Sequence, residues 1–240
     1  IAVFDEAGRQ DNNRLIVNKI APGTANFARG PAMSPREAEQ AVMQGFQIAS
    51  KLFQSGVDLI GTGDMGIGNT TPAAAIGAVI CGTDLAEMVG RGTGVDDEGL
   101  SRKRDIIRRG IEINNPDPES GLDVLAKVGG FEIGGIAGCV LAGAYHQRPV
   151  MIDGFISTAG ALIAHAICPT VSEYLFAGHC SAEPGHRHML NYLNLNPILN
   201  LGMRLGEGTG GALAMSMMDA ALRVFTEVMT FAEAGVAGKE

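Results

Sequence analysis

Thr62-Gly63-Asp64-Met65-Gly66-Ile67-Gly68-Asn69-Thr70-Thr71-Pro72-Ala73-Ala74-Ala75 is the stretch on which the fold turns. Upstream, Val57-Asp58-Leu59-Ile60-Gly61 is apolar and short enough for a buried strand. Downstream, Pro72 suits a first helical turn, Thr70 and Thr71 can cap it, and residues 73–80 read as a tightly packed helix. Between them, glycines at 63, 66 and 68 let backbone approach a ligand closely. The free N–H groups and positive end of the following helix favour an anion such as phosphate or carboxylate. A strand, a glycine loop and a helix in that order form an anion site of the α/β type.

Other glycine loops fit less well. A Walker A loop needs Lys followed by Ser or Thr, where Asn69-Thr70 stands, so nucleoside triphosphate hydrolysis is disfavoured. A dinucleotide fingerprint spans Gly61, Gly63 and Gly66, but one such match among 34 glycines says little. No acid closes the strand that should follow the first loop helix, which weakens a nicotinamide-dinucleotide dehydrogenase. A glycine turn that only packs a helix on a sheet is the plain alternative, and Asp64 inside the loop speaks against it.

The same order repeats along the chain. Ser34 with Glu37 forms a capping box for a helix to about Ser55, with an apolar stripe at Ala38, Ala41, Val42, Gly45, Ile48, Ala49 and Leu52. Ile1-Ala2-Val3-Phe4-Asp5 reads as a strand ending in an acid, and residues 11–30 as a loop-rich passage. Further helices are expected near 99–114, 122–128, 131–147, from about Thr158, and 212–233, with a strand at 149–153. Residues 83–89 fit a short helix or a connection, and 172–177 fit either strand or helix. Alternating strands and helices predict a doubly wound, mostly parallel sheet with helices on both faces, whose ligands sit at the strands' carboxyl edge.

Composition narrows the function classes. The 240 residues are 46% hydrophobic and 18% charged, enough for one large core. A net charge of −8 disfavours nucleic acid, since the one basic cluster, Arg102-Lys103-Arg104 with Arg108-Arg109, is short. No apolar run reaches the ~20 residues of a membrane span. Cysteines at 81, 139, 168 and 180 lack C-x-x-C spacing and read as reduced thiols of a cytoplasmic protein. Residues 178–188, Gly-His-Cys-Ser-Ala-Glu-Pro-Gly-His-Arg-His, invite a metal reading, but tetrahedral ligand spacing does not recur and no metal is assigned.

Taken with Arg204-Leu205-Gly206-Glu207-Gly208-Thr209-Gly210, the opening loop resembles the nicotinate-nucleotide:dimethylbenzimidazole phosphoribosyltransferase family of cobalamin biosynthesis. Asn26-Phe27-Ala28-Arg29-Gly30-Pro31-Ala32-Met33, Gly92-Thr93-Gly94-Val95-Asp96-Asp97-Glu98-Gly99-Leu100-Ser101-Arg102-Lys103, Asp153-Gly154-Phe155-Ile156-Ser157-Thr158-Ala159-Gly160 and Ser181-Ala182-Glu183-Pro184-Gly185-His186 carry the same resemblance. It runs through essentially the whole chain.

The resemblance implies one α/β catalytic domain over 1–240, with the helix at 212–233 joining a small helical subdomain that is partly missing at the N-terminus. It implies nicotinate mononucleotide and 5,6-dimethylbenzimidazole as substrates, α-ribazole 5′-phosphate and nicotinate as products, and a homodimer. The pyridinium leaving group is already activated, so neither metal nor cofactor is demanded. Glu207 would be the general base. Asp64, where relatives can carry Glu, would hold a ribose hydroxyl or stabilise an oxocarbenium. The 5′-phosphate would lie on Gly66, Ile67, Gly68, Asn69 and Thr70 and on Gly92, Thr93 and Gly94, with Lys103 as charge partner. Ser181 and Leu205 would line the base pocket. Two further readings stay open: a different aromatic acceptor, adenine or a phenol, and an azole- or nucleotide-binding protein without turnover.

Overall fold

A computed structural model describes residues 16–92 and 94–236. The strand expected at residues 1–5 and the candidate ligand residue Thr93 lie outside the described residues. Among the described residues three short strands form a parallel sheet in the order β1 (Ile60–Gly61), β2 (Val150–Ile152), β3 (Leu175–Ala177). Helices α1 (Pro35–Gln54), α2 (Thr70–Cys81), α3 (Leu85–Met88), α4 (Asp97–Asn114), α5 (Gly121–Val128) and α6 (Phe131–His146) precede β2. Helix α7 (Phe155–Ile167) and a 3₁₀ turn (Pro169–Tyr174) cross from β2 to β3, and α8 (His186–Tyr192) and α9 (Thr209–Glu227) follow.

The helices lie on both faces of the sheet, as the alternation of elements predicts. Successive strand residues point to opposite sides. Val150 faces α6, where a Cβ on Gly143 would lie 2.3 Å from its Cγ2, while Met151 faces α9, where a Cβ on Gly211 would lie 3.5 Å from its Cγ. Helix α7 is buried almost throughout, packed against α2, α5 and α6. The core is aliphatic, with Ile76, Leu125, Ile133, Ile152, Leu162 and Ile163 fully enclosed.

Helix α1 begins as the sequence says: the Ser34 hydroxyl accepts from the Glu37 N–H at 3.3 Å, and the Glu37 carboxylate accepts from the Ser34 N–H at 2.8 Å. Its buried stripe differs at one end. Leu52 is exposed and Phe53 is inside, continuing the four-residue steps Gly45, Ala49, Phe53 and meeting His146 ring to ring at 5.7 Å. Glycine lets α1 and α6 touch backbone to backbone. A Cβ on Gly138 would stand 1.9 Å from the Val42 carbonyl oxygen, and one on Gly45 1.9 Å from that of Gly135.

Several boundaries move. The strand expected over 57–61 is confined to Ile60–Gly61, and the helix expected from Thr158 starts at Phe155, directly after the strand-end pair Asp153-Gly154. Thr70 and Thr71 do not cap α2 but lie inside it, behind Asn69. Helix α9 covers Thr209–Glu227, not 212–233, because Gly208 already turns into its N-cap. Residues 172–177 split into the end of the 3₁₀ turn and β3.

Forcing a methyl group into the α1–α6 contact displaces main chain, for which no rotamer change compensates. Gly138→Ala should destabilise by about 2 kcal/mol, net of the helix-propensity gain of alanine. A thermal-denaturation midpoint lower by about 4–8 °C is the expected reading, and an unchanged midpoint would contradict the contact.

Candidate functional site

The three strands end in the same direction, and their following loops meet over one cavity of about 280 Å³. From β1 come Asp64, Met65, Gly66 and Thr70; from β2, Asp153 to Ser157; from β3, His179, Ser181 and Glu183; Arg204, Leu205 and Gly206 close it. This is the carboxyl edge, where parallel sheets bind ligands.

Two helix N-termini reach it, that of α2 through Thr70 and that of α7 through Phe155, Ile156 and Ser157. Asn69 and Gly154, the N-caps of α2 and α7, make no side-chain cap bond. The amides of Thr70 and Thr71 in α2, where Pro72 carries none, and the first amides of α7 thus keep their donors for an anion. Asn69 has helical backbone angles and turns its side chain to the loop, its Nδ2 donating to Asp64 Oδ1 at 3.2 Å, and the hydroxyl of Thr70 accepts from Lys103 Nζ at 3.1 Å. Lys103 arrives from α4 beneath Gly92 and donates also to the Gly90 carbonyl at 3.3 Å. Burial lowers its pKa, opposed by the carboxylate of Glu183. The Glu183 Oε2 is buried without a hydrogen-bond partner among the described residues, pressed against Gly90 so closely that a Cβ there would lie 2.0 Å away. A cation in a half-dry pocket beside two free helix ends suits a phosphoryl group.

Asp64 shapes its own loop. Its Oδ2 accepts the Gly66 N–H at 2.7 Å, and its main-chain oxygen accepts the Glu207 N–H at 2.9 Å. Burial pushes its pKa up despite the bonds from Gly66 and Asn69, and nearby Glu132 adds to the rise. Glu207 is exposed and borders an adjoining shallow cleft with Thr62, Gly63, Asp64 and Met65. The two clefts share Asp64 and Met65, so a ligand extending past Met65 would pass from one to the other.

The sequence-predicted residues divide accordingly. Asp64, Gly66, Thr70, Gly92, Ser181 and Leu205 line the cavity, and Lys103 stands behind it, bonded to Thr70. Ile67, Gly68 and Asn69 instead border a larger cavity of about 910 Å³ on the α1–α6 side of the loop. Gly94 borders neither and is exposed at φ +115°.

Sequence reading missed how the histidines are used. The Ser181 N–H donates to His186 Nδ1 at 2.8 Å, so the ring proton sits on Nε2, 2.8 Å from Thr158 Oγ1, whose hydroxyl donates to the Gly154 carbonyl at 2.9 Å. His179 Nε2 lies 3.5 Å from Asp153 Oδ1. The segment weighed as a metal loop therefore sends its imidazoles to separate partners in the strand-end scaffold. Among the described residues no helix is long and apolar enough to cross a membrane.

A phosphoribosyltransferase family profile matches residues 1–236. The chain is 52% identical over 239 residues to nicotinate-nucleotide–dimethylbenzimidazole phosphoribosyltransferase of Desulforudis audaxviator strain MP104C, an alignment covering 98% of this chain and 68% of that protein. Against the protein of the same name from Geobacter sulfurreducens, identity is 54% over 227 residues, 95% of this chain and 64% of the relative. Among solved structures, CobT from Thermus thermophilus superposes with a TM-score of 0.89 at 48% identity, covering 95% of this chain and 68% of that one. The chain thus spans about two thirds of the length of the relatives it matches.

The locked, neutral His186 has a measurable consequence. Burial, helped by His179 and Arg187, pushes its pKa down to about 3. Below about pH 6.5 the unfolded chain takes up a proton that the folded one refuses, so stability is complete above that pH and falls as pH drops toward 3. The slope from this group is at most ~1.4 kcal/mol per pH unit. Urea unfolding between pH 7 and 4.5 should show His186→Gln flattening the loss by up to one proton's worth; equal slopes would assign it elsewhere.

Proposed function

Because the chain belongs to the phosphoribosyltransferase family of the nicotinate-nucleotide–dimethylbenzimidazole enzymes, we propose that it transfers the 5-phosphoribosyl group of nicotinate mononucleotide to 5,6-dimethylbenzimidazole, giving α-ribazole 5′-phosphate and nicotinate. The observation that carries this reading is the cavity at the strand ends, where the uncapped starts of α2 and α7 and the amine of Lys103 converge. Phosphate would take the α2 amides, with Lys103 held close through Thr70 and Glu183 maintaining its positive charge against burial.

The chemistry follows from the leaving group. The bond from C1′ to the pyridinium nitrogen breaks, returning its electron pair to nicotinate, while a ring nitrogen of the acceptor bonds to C1′ from the opposite face. Inversion at C1′ gives the α anomer. The acceptor becomes cationic unless its other N–H loses a proton, and in this reading Glu207 is the carboxylate that accepts it. Glu207 is exposed in the free protein. A bound aromatic acceptor between Met65 and Leu205, 56% and 66% exposed, would cover those apolar surfaces and partly dry the carboxylate. Asp64, whose carboxylate oxygens accept one bond each, from Gly66 and Asn69, supports this arrangement mainly by holding the loop, and the lone pairs left on them can take a ribose hydroxyl.

The reading extends to a cytoplasmic homodimer of a single catalytic domain whose α9 joins a small helical subdomain. All four cysteines are free thiols, and α9 and the turn after it expose Leu222, Phe225 and Phe231, as a helix awaiting a packing partner would.

Mixing the full chain with nicotinate mononucleotide and 5,6-dimethylbenzimidazole and resolving products by mass spectrometry tests the proposal. α-Ribazole 5′-phosphate should form, Glu207→Gln should slow it about 10²–10⁴-fold, and Lys103→Met should raise KM for the mononucleotide about tenfold or more. Binding of the mononucleotide without product, or a Glu207→Gln rate equal to that of the wild type, would sink the assignment.

A further inference from the structure

Asp153 directly follows β2 and is 2% exposed, yet the chemistry above gives it no part. Its Oδ2 accepts the Gly208 N–H at 3.1 Å, its Oδ1 accepts the Gly211 N–H at 2.9 Å, and His179 Nε2 lies 3.5 Å from Oδ1. Burial alone would raise its pKa; His179 and the two amides outweigh burial and hold it below the usual carboxylate range. Unlike the starts of α2 and α7, that of α9 is therefore occupied, by a carboxylate borrowed from a strand 55 residues earlier.

What lies beside Gly208 gives this a purpose. Gly206, Glu207 and Gly208 are all left-handed, at φ +81°, +59° and +79°. For Glu207, which carries a Cβ, that conformation is unfavourable and persists only where its surroundings impose it. They do so from two sides. In front, the Glu207 N–H is held by the Asp64 carbonyl, and Gly63 packs so close that a Cβ on it would lie 2.3 Å from the Gly208 nitrogen. Behind, Asp153 grips the next amide and the one three residues on. The Nδ1 of His179 is buried without a partner among the described residues, so its ring is held by Nε2 toward Asp153 and by close packing on Gly210 and Gly154.

We propose that Asp153, braced by His179, is a positioning residue for the Glu207 carboxylate, fixing the left-handed turn 206–208 against β2 and thereby the reach of Glu207 to the acceptor. The proposal rests on Glu207 being the base. Asp153 never touches substrate in this role; it acts through two main-chain amides.

Asp153→Asn keeps the shape but offers one acceptor oxygen and an NH₂, so one of the two glycine amides faces a donor. In the full chain without substrate, amide hydrogen exchange at Gly208 and Gly211 should quicken at least about tenfold, with β2 and β3 unchanged. In the product assay kcat should fall about 30–100-fold, since small misplacement of a catalytic group is costly, while KM for nicotinate mononucleotide stays within about threefold. Added to Glu207→Gln, the substitution should cause no further loss, because both act through one carboxylate. Unchanged exchange, faster exchange spread over all three strands, or a full additional loss in the double variant would each overturn the proposal. Absence of product from the wild type would overturn the transferase reading and the catalytic half of this one, while the exchange arm would still decide whether Asp153 clamps the turn.

Discussion

Contact between main chains, made possible by glycine, is the constraint from which the remaining architecture follows. The strands are only two or three residues long, so the sheet cannot hold the layers apart with wide rows of side chains. Helix meets helix at Gly45 and Gly138, the first ligand loop meets the Glu207 turn at Gly63, and β3 meets α9 where a Cβ on Gly178 would lie 2.9 Å from the Gly211 Cα. Each of these approaches closes when a Cβ is added.

Close approach also settles where charge can go. Helices α2, α7 and α9 start at the carboxyl edge of the sheet, and their positive ends would compete for the same anion. The structure assigns them differently. Asp153 neutralises the start of α9, so the starts of α2 and α7 are the ones left toward the cavity. Lys103 and Glu183 form a second division of charge: the buried Oε2 of Glu183 has no hydrogen-bond partner among the described residues, yet the carboxylate opposes the effect of burial on the Lys103 amine. His186 contributes no charge, being held neutral between Ser181 and Thr158. Its task is to pin the β3 loop to the start of α7.

Local rules made much of this legible in the sequence. The Ser34–Glu37 box, the strand-loop-helix order around Gly63–Pro72 and the strand before Asp153 depend on residues within a few positions of one another, and they read correctly. Capping at Thr70 did not, because its hydroxyl is claimed by Lys103, 33 residues away. Nor did the inner position of Phe53, chosen over Leu52 by the ring of His146. The residues expected on one phosphate loop separate onto two sides of it, since the turn at Gly66 and Gly68 carries Ile67, Gly68 and Asn69 toward α1 and α6.

By itself the sequence determined the α/β order, the identity of the glycine loops, the acids at strand ends and, through resemblance, the family. All of these are properties of short segments, encoded by backbone freedom, capping and hydrophobic period. Tertiary structure alone decided which helix ends stay open, which cation stands behind the cavity, and how Asp153 and Asp64 together hold the Glu207 turn. Those outcomes depend on donors and acceptors from residues tens to more than a hundred positions apart meeting within about 3 Å, a distance that close packing at glycine sets and no local pattern carries.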